Sequence, residues 1–278
     1  MPDLVFAPTG AALVRERFRR FNIKLPTVQV SKTVVVRPTV MTSLSVSKAQ
    51  LNQPMLFQAG SNSPADLAQQ QAMHELYDSM FQQIIAAIES GFNTYRQTAG
   101  LVGVIINGPL AIGGQLQGPP LDPLIKTAVS VVNWTGSKVV MRDAVARGFD
   151  QQWSILSSTV KVPGLPWYPT FAAFPGPTAP PTPNVPTPFS VLIQDPSAVA
   201  PLALKVGMRA NLRGQFDYSD EFFESIATGF DSAMQVWKAT QMVRSVLGMG
   251  PVPNFAPPYV PVGPVVGGSI LGGSHINT

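Results

Sequence analysis

The sequence predicts an α+β chain, largely helical, with extended Pro/Gly-rich arms, an N-terminal β arm and three irregular helix-plus-arm repeats. Three observations lead there. Apolar stripes at helical spacing recur along the 278 residues. Three runs of 25 to 34 residues carry no Asp, Glu, Lys or Arg, and each trails one of those helical stretches. Residues 22–48 alternate β-branched with polar side chains, which is the period of a strand. Pro and Gly are abundant, at 28 and 23 residues, yet the apolar content of 45% leaves enough surface to offset the ordering entropy of folding.

Charge is unevenly placed. Residues 1–50 hold eight basic and two acidic side chains, a net of +6, whereas residues 51–278 sum to −2. The densest part is Arg15, Arg17, Arg19 and Arg20 with Lys24. A basic run of this kind ordinarily solvates; its functional reading is contact with an acidic protein surface or nucleic acid. The segment 1–61 is thus a basic stretch followed by a β arm. Pro26 and Pro38 interrupt the arm and suit it to a sheet edge.

The second segment, 62–121, opens on Ser63-Pro64-Ala65-Asp66: an N-cap hydroxyl, proline at the first helical position and an acid in the first turn. Ala72, Leu76, Met80, Ile84, Ile88 and Phe92 then fall at spacing four, predicting a long helix that ends near Gly100. A charge-free run, Gln97–Leu121, follows, with a turn at Gly108-Pro109. In the third segment, 122–194, Val129, Val131 and Val132 predict an extended piece and residues 143–159 a helix. Its charge-free run is Val162–Gln194. Ten of the 26 residues from Pro163 to Pro188 are proline, which reads as stiff polyproline-like chain that does not pair its own backbone. The last segment, 195–278, holds a helix over roughly 219–247, with Asp220, Glu221 and Glu224 at its start, and then the tail Ser245–Thr278.

Three hexapeptides align: Ile88-Glu89-Ser90-Gly91-Phe92-Asn93, Val145-Ala146-Arg147-Gly148-Phe149-Asp150 and Ile226-Ala227-Thr228-Gly229-Phe230-Asp231. Each sits in a helical stretch and precedes a charge-free run, so an irregular threefold repeat is expected. Glycine before phenylalanine in a helix points to close approach of another backbone. Gly91, Phe92, Gly148, Phe149, Gly229 and Phe230 are therefore candidate contact residues, as are the tail aromatics Phe255 and Tyr259.

Catalytic constellations are missing from the text. There is no cysteine, which excludes disulfides and thiolate chemistry. The two histidines, His74 and His275, are far apart in sequence. Phosphate-binding glycine loops and the nucleophile elbow are absent, and the two Ser-x-x-Lys matches, Ser45–Lys48 and Ser158–Lys161, lack their partner motifs. The expectation is a chain that is not an enzyme and needs no cofactor or metal. No secretion signal and no run of 18 apolar residues occurs in the sequence. Long apolar runs without charge must be covered by something. The arms are thus expected to lie on neighbouring copies of the chain or on other proteins. A membrane surface contacted through the arms and the basic N-terminus is the alternative.

The alternation of helical text with Gly/Pro-rich text such as Pro257-Pro258-Tyr259-Val260-Pro261-Val262-Gly263-Pro264-Val265-Val266-Gly267-Gly268 resembles virion structural proteins of tailed phages, in which helical segments of the form Ile-Ala-x-x-Gly alternate with such runs. The likeness spans residues 63–278 and excludes the basic N-terminal stretch. It implies a non-enzymatic component of a head, neck, tail or baseplate, with tail, baseplate or neck favoured. It also implies copies of itself and other particle proteins as partners, and a place in the virion after assembly in the host cytoplasm.

Overall fold

The computed structural model describes residues 64–271, apart from 217–218, 254 and 257–259. By packing, the chain separates into two units. One contains residues 82–278; the other is residues 15–81, of which the described part is the helical stretch 64–81. The N-terminal β arm and the four arginines fall outside the described residues.

The first helix, α1, spans Pro64–Thr98, close to its expected limits. Strands β1 (Gly100–Asn107) and β2 (Leu110–Gln117) follow as a hairpin. Its two-residue loop is Gly108-Pro109, with Gly108 at a φ of 56° in the slot such a tight turn requires. A short helix α2 (Leu121–Lys126) leads to α3 (Ser137–Thr159). Next come β3 (Val162–Leu165), β4 (Phe174–Pro175), β5 (Thr178–Pro183) and β6 (Thr187–Pro188). Helices α4 (Pro201–Asn211) and α5 (Ser219–Thr240) precede β7 (Met242–Val243), β8 (Leu247–Pro251), β9 (Phe255–Ala256), β10 (Val260–Gly263) and β11 (Gly268–Ile270).

The fold class is mixed α+β, and its sheet is larger than the sequence reading allows. Six antiparallel strands run in the order β3-β2-β1-β11-β8-β5. Segment 62–121 joins segment 122–194 through β2–β3, and joins segment 195–278 through β1–β11. The second and third of these meet through β5–β8. The three stretches are woven into one sheet.

The proline-rich run is the main correction. It pairs its backbone, because its strands take the positions proline tolerates. β3, with Pro163, and β5, with Pro180, Pro181 and Pro183, are the two edges of the six-stranded sheet. A residue lacking an N–H costs least where that side of the strand has no ladder to complete. Three local expectations also shift. Residues 127–133 form turns rather than an extended piece: Ala128 and Val131 are buried three apart while Val129 stands 92% exposed. α3 begins at Ser137, six residues before the expected start. α5 stops at Thr240, where the Gln241 carbonyl accepts from Phe189 N at 2.8 Å and Met242–Val243 pairs with β6. Helices α2 and α4 were not anticipated from the sequence.

The strands' inner face explains their glycines. Gly248 and Gly250 of β8 are buried, as is Gly268 of β11. A Cβ on Gly248 would stand 2.5 Å from the Tyr168 ring and 2.6 Å from Ile106. The missing side chain lets Tyr168 lie against the sheet, where its hydroxyl donates to the Val246 carbonyl at 2.8 Å. Asn184 ties the same corner: its amide donates to the carbonyls of Val185 and Val243, and its oxygen accepts from Val246 N at 3.0 Å.

Candidate interaction surfaces

The aligned hexapeptides lie in α1, α3 and α5, and their phenylalanines meet. Phe92 and Phe230 have ring centroids 5.2 Å apart, Phe149 and Phe230 4.9 Å, and Phe92 and Phe149 6.4 Å. Trp153 packs edge-on against Phe92 at 4.8 Å. All four rings are buried. Each such pair adds about 0.5–1.5 kcal/mol beyond the area it removes from water. The glycines beside them serve the same packing. A Cβ on Gly148 would meet the backbone of Met208 in α4 at 2.6 Å, and one on Gly91 would meet the Ile125 side chain of α2 at 2.9 Å. Gly229 is buried too. As points of contact with another protein, these six residues are placed inside the chain's own core. Of the tail pair, Phe255 lies on β9 and Tyr259 lies outside the described residues, as do Arg15, Arg17, Arg19 and Arg20.

The exposed counterpart is the outer face of the sheet. On β1, Leu101, Val104 and Ile106 are buried while Ile105 is 52% exposed. Its cross-strand neighbour Ile112 on β2 is 51% exposed, and Leu110 45%. In the other direction Ile105 pairs with Ser269 of β11, which pairs with Met249 of β8. A single row, Ile112-Ile105-Ser269-Met249, thus crosses four strands. Among the described residues, none of the eleven strands contains Asp, Glu, Lys or Arg. Scattered exposed apolar residues are ordinary, but a registered row without charges on a sheet face is not the usual surface of a monomer.

The helical surface differs. Leu202 and Val206 of α4 are exposed, but around them Lys205 pairs with Glu224 at 3.0 Å and Arg209 with Asp220 at 3.2 Å. Such pairs contribute little to stability. They keep the face polar. The acidic cluster at the start of α5 thereby finds partners on α4. No group of three or more His, Cys, Asp or Glu side chains suited to a metal ion occurs among the described residues.

Comparisons with family models, curated proteins and solved structures return no match to this chain. The surfaces have to be read from their own chemistry. Of the sheet-face row only the Gly108-Pro109 turn was legible, since GLVGVIIN is apolar nearly throughout and its alternation of buried and exposed side chains arises on folding. What sequence reasoning missed is that the two remaining charge-free runs add strands to that hairpin, which fixes the row's other members. Among the described residues, no helix is long and apolar enough to cross a membrane.

Near the core aromatics, burial pushes the Tyr95 hydroxyl up to about 12, an effect partly offset by Trp153 and Ser157 beside it. Burial likewise raises Tyr168.

Proposed function

We propose that this chain is a non-enzymatic structural subunit of a phage-like particle, with tail, baseplate or neck the favoured location, and that it takes part in assembly through its charge-free surface. The observation that carries the proposal is the uncharged sheet with the row Ile112-Ile105-Ser269-Met249 on its open face. Covering that row removes apolar area from water at about 25 cal/mol per Å² without desolvating a single charge, so association there has no electrostatic penalty to overcome. The resemblance of residues 63–278 to virion structural proteins of tailed phages supports the same reading. Copies of the chain and other particle proteins are the partners it implies. The three helix-then-charge-free stretches are read here as an irregular repeat, supported by the convergence of Phe92, Phe149 and Phe230.

Mass spectrometry and electron microscopy of particles purified from the producing cell test this. The chain is expected in intact particles in a fixed copy number. Its exclusion from particles, together with a soluble monomeric pool in the cell, would overturn the proposal.

A further inference from the structure

A cleft of about 300 Å³ opens between the end of β2, the loop Gly118–Pro120 and one face of α3. Its lining is dense in neutral hydrogen-bonding groups. Gln115 and Gln117 stand exposed on β2, two apart and on the same side of the buried Leu116. Facing them, α3 presents Asp150, Ser154, Ser157 and Ser158, which recur at helical spacing. At the floor lie the buried edges of Tyr95 and Trp153.

Several of these groups are already oriented. The hydroxyls of Ser157 and Ser158 lie 3.1 and 2.7 Å from the carbonyls of Ser154 and Ile155, to which they donate. Ser157 also meets the Tyr95 hydroxyl, while Ser158 is exposed and its lone pairs can accept. The Asp150 carboxylate is held by the Leu121 N–H, 2.6 Å from Oδ1. The two glutamine amides supply donors and acceptors together. The indole Nε1 of Trp153 is buried beside the Tyr95 hydroxyl, which Ser157 also meets, so the floor of the cleft is a polar cluster.

A second cleft, about 310 Å³, lies across Gln117, Gly118 and Pro119, which line both. Together the two have the size of a small-molecule site. Neither is lined by Lys or Arg, and the one carboxylate in the lining repels anions. The ligand that fits is uncharged, rich in hydroxyls that both donate and accept, and long enough to pass Gln117. We propose that these two adjacent clefts bind a neutral saccharide of at least two linked rings. This reading is independent of whether the chain belongs to a particle.

The test uses the full chain, with binding to maltose, lactose and chitobiose followed by calorimetry and saturation-transfer NMR. Glucose serves as the single-ring comparator, and sialyllactose and a heparin disaccharide as charged ones. At least one neutral disaccharide is expected to bind, more tightly than glucose and than either charged sugar. Gln117→Ala and Ser154→Ala each remove one exposed polar side chain, and each is expected to weaken binding about three- to tenfold at an unchanged unfolding temperature. Absence of binding by every neutral disaccharide at millimolar concentration would overturn the proposal. So would preference for a charged sugar, or affinity unaltered in both variants.

Discussion

The helical layer and the sheet of residues 82–278 solve opposite problems. The helices bring together bulky aromatic rings, and they carry the ion pairs at their surface: Lys126–Asp122, Arg142–Asp143, Lys205–Glu224 and Arg209–Asp220. The sheet is built largely of small residues, proline and aliphatics, and it carries no charge. One region is thereby finished as a solvent-facing surface. The other is finished only on its inner face, where Gly248, Gly250 and Gly268 admit Tyr168, Ile106 and Val265. What this contrast teaches is that the uncharged text has a structural use within the chain and still leaves an open face.

The contrast can be broken first at the aromatic centre. Phe230→Ala removes the ring that touches both Phe92 and Phe149. A loss of about 3–5 kcal/mol is expected in denaturant unfolding. A loss under 1 kcal/mol would mean that the three aligned phenylalanines do not hold the helices together.

Gly148→Ala probes the helix crossing with a single methyl. Because the new Cβ would meet the backbone of Met208 rather than a flexible side chain, α3 and α4 must separate. The expected cost is about 1–3 kcal/mol by thermal unfolding, against the usual gain from replacing a helix glycine by alanine. A stabilised variant would contradict the crossing.

The smallest effect is expected at alkaline pH. Tyr95 is neutral when folded up to about 12, whereas its ordinary value is 10.0. The folded-state pKa is raised, so the associated stability is complete below pH 10 and is lost as pH climbs toward 12. Tyr95→Phe should unfold less steeply over that window, as read by circular dichroism. An unchanged alkaline limb would show that burial at Tyr95 is not what sets it.

How far these regions could be read in advance follows from their physics. The long helix was legible because Ser63-Pro64 and the four-residue apolar spacing are local signals. So was the Gly108-Pro109 turn. The meeting of Phe92, Phe149 and Phe230 was only half legible: the alignment marks them as equivalent, but nothing in the text says that they touch. The sheet was the least legible. Pro180-Pro181 reads as unpaired polyproline until β8 is known to supply the one partner an edge strand needs. Strand pairing between segments more than a hundred residues apart, such as Ile105 with Ser269, leaves no mark at either site. The cleft beside Gln117 was hidden for the same reason, since β2 and α3 meet only after folding.

The account turns on the open sheet face, and sedimentation velocity of the full chain against Ile105→Lys/Ile112→Glu tests it most directly. The two isoleucines are paired, half-exposed and outside the core. Their replacement should cost the fold about 1 kcal/mol or less. The unaltered chain is predicted to form oligomers that grow with concentration, and the double variant to remain a folded monomer over the same range. An unaltered chain that stays monomeric throughout, or a variant that assembles as well as its parent, would contradict the claim that this face is an assembly surface.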